Sequence, residues 1–258
     1  HHTFDRILDL DVTGAVTYDD YNYLNKRTQG RQFSNMSFGI DGLHMAERIS
    51  YLEPVQRDYQ LLSYLGRVNM SFLEGRYLAT ASFRADGSSR FARGHRWAYF
   101  PSFSLAWRME QEKWIQQINW INQLKLRVGY GVTGNSAVNP YQTAGSVTST
   151  YASIPFGVGN VSSNTIGTKT NIMPNYSLGW EKTSSLNVGV DFGVLENRIS
   201  GSVEYYIAKT SDLLMNQSIP VITGYAQILN NVGKTENRGF EVSLSTVNVK
   251  TKDFTWQT

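Results

Sequence analysis

Apolar and polar side chains alternate with period two over long runs, and this constrains the fold of the chain more than any other feature. From Arg76 to Asp86, Tyr77, Ala79, Ala81, Phe83 and Ala85 fall on one face, and Arg76, Thr80, Ser82, Arg84 and Asp86 on the other. From Leu124 to Thr133, Leu124, Leu126, Val128, Tyr130 and Val132 share a face opposite Lys125, Arg127, Gly129, Gly131 and Thr133. Successive side chains of a strand point to opposite faces. Each run is therefore a strand with a dry side and a wet side, and the wet side carries charge and glycine. A soluble sandwich makes its dry side a core. A membrane barrel turns its dry side to lipid and its wet side to a lumen.

The same reading along the chain predicts nine strands: 8–22, 58–73, 76–86, 97–109, 123–134, 177–192, 198–210, 233–249 and one beginning at Asp253. Met36, Phe38 and Ile40 could add a short strand within the first loop. Glu74-Gly75 predicts a tight hairpin turn, with glycine supplying the positive φ. Pro101 predicts a bulge or a position outside the regular ladder. In 110–123 the period changes, and Trp114, Ile118 and Ile121 are spaced for a short amphipathic helix. The connections run long (23–57), short (74–75), long (87–96), short (110–122), long (135–176), short (193–197), long (211–232), short (250–252). Compact soluble domains rarely hold structureless loops beyond about 12–15 residues. Outer-membrane barrels have short turns at one end and long loops at the other. An up-and-down meander with this rhythm reads as a barrel wall.

Composition agrees and excludes other classes. The chain has 258 residues and no cysteine, so it offers no disulfide framework and no thiolate metal site. With 24 basic and 21 acidic residues, the net charge of +3 is scattered, which gives no footprint for nucleic acid. No apolar run is long enough for a transmembrane helix, but barrel strands cross in about 9–11 residues and half of those face water. Aromatics reach 13%, enough for a β-rich core, a sugar-binding surface or the two girdles of a membrane barrel. The opening His1-His2-Thr3-Phe4-Asp5 has no signal-peptide pattern, so the expectation is an internal segment of a longer chain.

Several stretches together resemble the SusC/RagA-type TonB-dependent outer-membrane transporters of the Bacteroidetes. They are Arg84-Ala-Asp-Gly-Ser-Ser-Arg-Phe91, Phe100-Pro-Ser-Phe-Ser-Leu-Ala-Trp-Arg108, Leu124-Lys-Leu-Arg-Val-Gly-Tyr-Gly-Val-Thr-Gly-Asn135, Trp180-Glu181-Lys-Thr183, Asn187-Val-Gly-Val-Asp191, Thr210-Ser-Asp-Leu-Leu214 and Asn237-Arg-Gly-Phe-Glu241. Ala92 and Ala98 stand where that family often has glycine. The resemblance implies an all-β fold, an antiparallel up-and-down transmembrane β-barrel, partial, with about nine of some 22 strands. Residues 1–258 would be the C-terminal part of the barrel, with signal peptide, plug and last strands lying outside it. It also implies import of oligosaccharides or oligopeptides without bond chemistry, driven by TonB through the plug. A SusD-like surface lipoprotein, the lipid bilayer and lipopolysaccharide would be partners. A soluble glycan-binding β-protein and a siderophore or cobalamin receptor stay open as alternatives.

Neither a catalytic constellation nor a cofactor motif stands out. His44 and His95 fall in loops without ligand spacing, and Ser88-Ser89 beside Asp86 lack a positioned base. The candidate lumen-facing residues are Lys125, Arg127, Asp191, Arg198, Glu204 and Glu241. They suit a mutually paired wall contacting the plug, or contact with passing substrate. Arg84 and Asp86 are expected to fix the loop that follows them. Trp97, Tyr99, Trp107, Trp114 and Trp120 are expected as interface anchors, with sugar stacking as the sharper alternative.

Overall fold

The structure, a computed structural model, describes residues 2–4, 7–33, 37, 39–155 and 162–258. Its strands are β1 (His2–Phe4), β2 (Leu8–Phe33), β3 (Ala46–Phe72), β4 (Tyr77–Ser88), β5 (Trp97–Arg108), β6 (Ile121–Asn135), β7 (Ser146–Pro155), β8 (Ser162–Met173), β9 (Glu181–Val194), β10 (Ile199–Ser211), β11 (Leu214–Ser218), β12 (Gln227–Asn231), β13 (Lys234–Lys250) and β14 (Thr255–Gln257). Ten of them form one open antiparallel sheet in the order β1-β2-β3-β4-β5-β6-β9-β10-β13-β14. This is a partial barrel wall. All nine predicted strands are in it, and the short β1 is added at the edge.

Register explains the alternation. Leu10, Met70, Ala79, Leu105, Val128, Val188, Tyr205 and Phe240 stand in one row across eight strands. The neighbouring row on the opposite face runs Asp11, Asn69, Thr80, Ser104, Gly129, Asn187, Tyr206 and Gly239. Among the described residues no layer packs on the apolar face: Val12, Phe103, Tyr130, Phe240 and Val242 are all exposed. Soluble monomers rarely expose contiguous apolar patches beyond a few hundred Å², so this face fits lipid.

Aromatic residues edge that face at two heights. On the turn side, Tyr77 stacks on Trp107, with centroids 6.2 Å apart. On the loop side, Trp97 stacks on Tyr64 at 5.9 Å and Tyr99 on Phe83 at 5.8 Å. Trp97 and Trp107 are ten residues apart on β5. That is about 34 Å along a strand and about 26 Å of height at a tilt of ~40°, close to the ~25 Å apolar band of an outer-membrane barrel.

Several expectations need correction. The loops 23–57, 135–176 and 211–232 are not structureless. β2 and β3 stay paired far beyond the aromatic edge, as far as Phe33 and Ala46, and a 3-10 helix (Gly39–Met45) closes the hairpin. Ile40 lies in that helix, whereas Met36 and Phe38 lie outside the described residues. The other two loops supply a second sheet, β11-β12-β8-β7, in which β12 and β8 are parallel. Of the two expectations for Pro101, the bulge is absent against β4, while the position outside a regular ladder holds, since pairing of β5 with β6 stops at Ser102. The proline at an irregularity is Pro54, where the β2–β3 pairing steps from Asn25–Val55 to Arg27–Leu52. The helix of 110–123 shrinks to a single turn (Lys113–Gln116) whose buried residue is Ile115; Ile121 already belongs to β6. The length rhythm is also not strict, since residues 109–120 outnumber the loop 89–96 between β4 and β5.

Candidate functional site

On the wet face, four of the six expected wall residues come together. Arg127 Nε donates to Asp191 Oδ1 at 3.1 Å, and its Nη2 donates to Glu204 Oε2 at 2.8 Å. Lys125 Nζ lies 3.8 Å from Asp191 Oδ2. Arg127 is on β6 and Glu204 on β10, with β9 between them. The residue of β9 that faces both is Gly189. A Cβ there would stand 3.2 Å from the guanidinium carbon of Arg127. Glycine therefore leaves the lane along which the arginine crosses one strand to reach the next. Glu241 faces Glu204 across β10 and β13, but its side chain has no ion pair or hydrogen bond among the described residues. Arg198 stands apart, exposed in the turn before β10. The sequence showed these charges on one face but not the glycine lane. Its signal is an arginine and a carboxylate on the same face two strands apart with glycine between.

At the loop end of the sheet sits the buried core: Phe91, Ala98, Phe100, Val138, Leu178, Trp180 and Leu229. Phe100 meets Trp180 edge-on at 5.6 Å, and Phe91 tilts against it at 5.3 Å. Polar bonds lock the loops around this core. Arg84 Nε donates to both Asp86 oxygens, at 2.7 and 2.8 Å, and its Nη2 donates to Ser63. Trp180 Nε1 donates to the Arg96 carbonyl, and Arg90 Nη1 to that of Ser136. Asn231 Nδ2 donates to the carbonyls of Gly179 and Asp212. The Glu181 carboxylate accepts from Asn135 and from the Leu214 backbone N–H. Most of the stretches that carry the family resemblance thus meet here and do structural work. The expectation that Arg84 and Asp86 fix the loop that follows them needs correction: their bonds instead tie β4 to Ser63 of β3, and the loop is held by Ser89, whose N–H donates to the Gln60 carbonyl and whose hydroxyl accepts from the Gln60 N–H.

At the turn end, Glu112 gathers the aromatic edge. Tyr77 Oη donates to its Oε1 at 2.9 Å and Trp107 Nε1 at 3.1 Å, while Arg76 lies 3.5 Å away. The hydrogen bonds from Tyr77 and Trp107, with the charge of Arg76, hold the Glu112 carboxyl below its ordinary range. Trp107, Trp97 and Tyr99 are thus edge residues with stacked neighbours, whereas Trp114 and Trp120 are exposed in the connection before β6. His44 Nδ1 is 3.0 Å from the Asp41 carbonyl, and the His95 backbone N–H donates to the Ala92 carbonyl. Among the described residues, no three or more His, Cys, Asp or Glu are grouped to hold a metal.

Comparison with known proteins gives the same architecture. A family profile described as "TonB dependent receptor-like, beta-barrel" matches residues 2–258. The TonB-dependent receptor SusC of Bacteroides thetaiotaomicron is 42% identical over 200 residues, which is 76% of this chain and 19% of that relative. The chain therefore spans about a fifth of the length of the curated relatives it matches. The RagAB peptide importer in its closed-closed state superposes with a TM-score of 0.80 at 27% identity, over 97% of this chain and 27% of that one. A ferric enterobactin receptor of Pseudomonas aeruginosa superposes at 0.53 with 14% identity, covering 93% and 34%. At that identity the likeness is one of fold alone.

Proposed function

Since this chain belongs to the TonB-dependent receptor β-barrel family and is of the SusC/RagA type, we propose that it is one wall of an outer-membrane importer. The observation that carries this reading is the unpacked apolar face, edged by aromatics at a membrane's spacing and backed by a polar, charged face. In this reading the apolar face lies in the lipid of the outer membrane. Lys125, Arg127, Asp191, Glu204 and Glu241 face the lumen, and Arg198 stands at its turn end. The paired four brace the wall, and Glu241 and Arg198 are left to meet the plug or passing cargo. The cargo is an oligosaccharide or oligopeptide, in keeping with the RagAB peptide importer. TonB supplies energy through a plug carried elsewhere in the full-length protein, and a SusD-like lipoprotein caps the loop end.

Transport of this kind breaks no bond. The wall must offer a polar path with few deep binding sites, and rows of Ser, Thr, Asn and Gly between paired charges suit that. The test is to extract the full-length protein from outer membranes in mild detergent, identify what co-purifies, and compare growth of a deletion strain on glycans, peptides, ferric siderophores and cobalamin. Co-purification of a surface lipoprotein and a growth defect confined to one glycan or peptide source support the proposal. A defect confined to iron or cobalamin supply would move the reading to the siderophore or cobalamin alternative. A folded, detergent-free monomer in the soluble fraction would replace it with the glycan-binding β-protein.

A further inference from the structure

Above the loop-side aromatic edge, the outward face carries a continuous groove. Its lower part, about 210 Å³, is lined by Tyr18, Leu62 and Trp97, together with Gln60, Ser89 and Arg96. Its upper part, about 430 Å³, shares those last three and adds Asp20, Asn22, Asp58 and Tyr141. Register fixes which face this is. Tyr18 pairs with Leu62, Asp20 with Gln60, and Asn22 with Asp58. Residues two apart share a face, so the polar residues continue the face that is apolar below them. Trp97 lies flat across Gly87, where a Cβ would come within 2.8 Å of the indole.

The groove is therefore graded from an aromatic floor to an acceptor-rich shelf. Among the described residues, Asp20 accepts only from Asn22, at 3.5 Å, and Asp58 from Gln56 and Tyr141. Arg96 spends its Nε on the Phe91 carbonyl and has no ion pair among the described residues. Tyr141 is held at φ +65°, a region unfavourable for a bulky residue, with its ring exposed at the top of the groove.

We propose that this groove seats the headgroup of a glycolipid from the surrounding outer leaflet. The inference rests on the reading of the apolar face as membrane-embedded. Continuity with that face requires an occupant anchored in the same layer. Its acyl chains lie against Tyr18, Leu62 and Trp97. Its sugar hydroxyls donate to Asp20 and Asp58 and exchange hydrogen bonds with Asn22 and Gln60. One anionic substituent accepts from Arg96. Two carboxylates beside a single guanidinium disfavour a headgroup that is all phosphate, and the upper chamber has room for a saccharide.

The test is native mass spectrometry of the full-length protein in mild detergent, with rough-type lipopolysaccharide and phosphatidylethanolamine as competing probes. Wild type is expected to retain the glycolipid against the phospholipid. The Arg96→Gln/Asp58→Asn double variant is expected to bind it about tenfold more weakly, from the loss of charge-assisted hydrogen bonds. Trp97→Ala is expected to weaken it with folding unchanged, as judged by heat-modifiable mobility. Equal retention by wild type and both variants, or displacement by phosphatidylethanolamine, would overturn the proposal. Failure of wild type to retain glycolipid while still fractionating with the outer membrane overturns this inference alone. Failure to fractionate there overturns the functional reading with it.

Discussion

At the scale of single residues, the wet-face charges were legible from parity, but their partners were not. Lys125, Arg127, Asp191 and Glu204 could be placed on one face because a strand alternates. Which of them touch depends on strand order and register, which come from long-range pairing. Gly189 shows the consequence. Gly189→Leu should drive a side chain into the Arg127 guanidinium, break the bond to Glu204 and destabilise the full-length barrel. The pair is partly exposed, so the cost is about 1 kcal/mol, read as a lower thermal midpoint in detergent. Gly129→Ala, where a Cβ meets nothing nearer than Ser104 Cβ at 3.9 Å, should leave the midpoint unchanged. Glu112 supports a prediction about pH. Its carboxyl is held low, so its bonds to Tyr77 and Trp107 contribute stability above the ordinary carboxylate range. They are lost as pH falls through the lowered value. Fluorescence of Trp107, in a variant with the other tryptophans replaced, should therefore change at a pH below the usual carboxylate range. With Glu112→Gln that transition should vanish.

At the scale of elements, strands within the apolar band were legible because one face must be dry. Outside the band that requirement ends, and so does the signal. The outer halves of β2 and β3, and the strands β7, β8, β11 and β12, are rich in Ser, Thr, Asn, Gln or charge and read as loop, yet their backbones pair. The one-turn helix at Lys113–Gln116 was overread because three apolar residues matched a period that the chain abandons at Ile121. Leu186 tests the band itself. It pairs with Tyr130, which pairs with Phe103, midway between Trp97 and Trp107. Leu186→Arg should cost about 2–4 kcal/mol if that height is the bilayer midplane. The measurement is the yield of heat-modifiable barrel in the outer-membrane fraction, which should drop sharply. Ser185→Arg, on the wet face, should leave it nearly unchanged.

At the scale of the molecule, the sheet is open, with β1 at one edge and β14 at the other. Unpaired backbone groups in hydrocarbon cost several kcal/mol each, so a membrane wall of this shape needs further strands on both sides. The segment expressed alone is expected to aggregate, without a heat-modifiable band, whereas the full-length protein should show one. The central claim is that the apolar face lies in lipid and the opposite face in water. The segment has no cysteine of its own, so single cysteines can be placed along Leu124–Val132 in the full-length protein and spin-labelled. Accessibility to oxygen and to a polar nickel complex is then compared position by position. The account predicts period two: 124, 126, 128, 130 and 132 open to oxygen and closed to nickel, with 125, 127, 129 and 131 the reverse. If the even positions were closed to both reagents, the apolar face would be a protein core, and the membrane wall would be wrong.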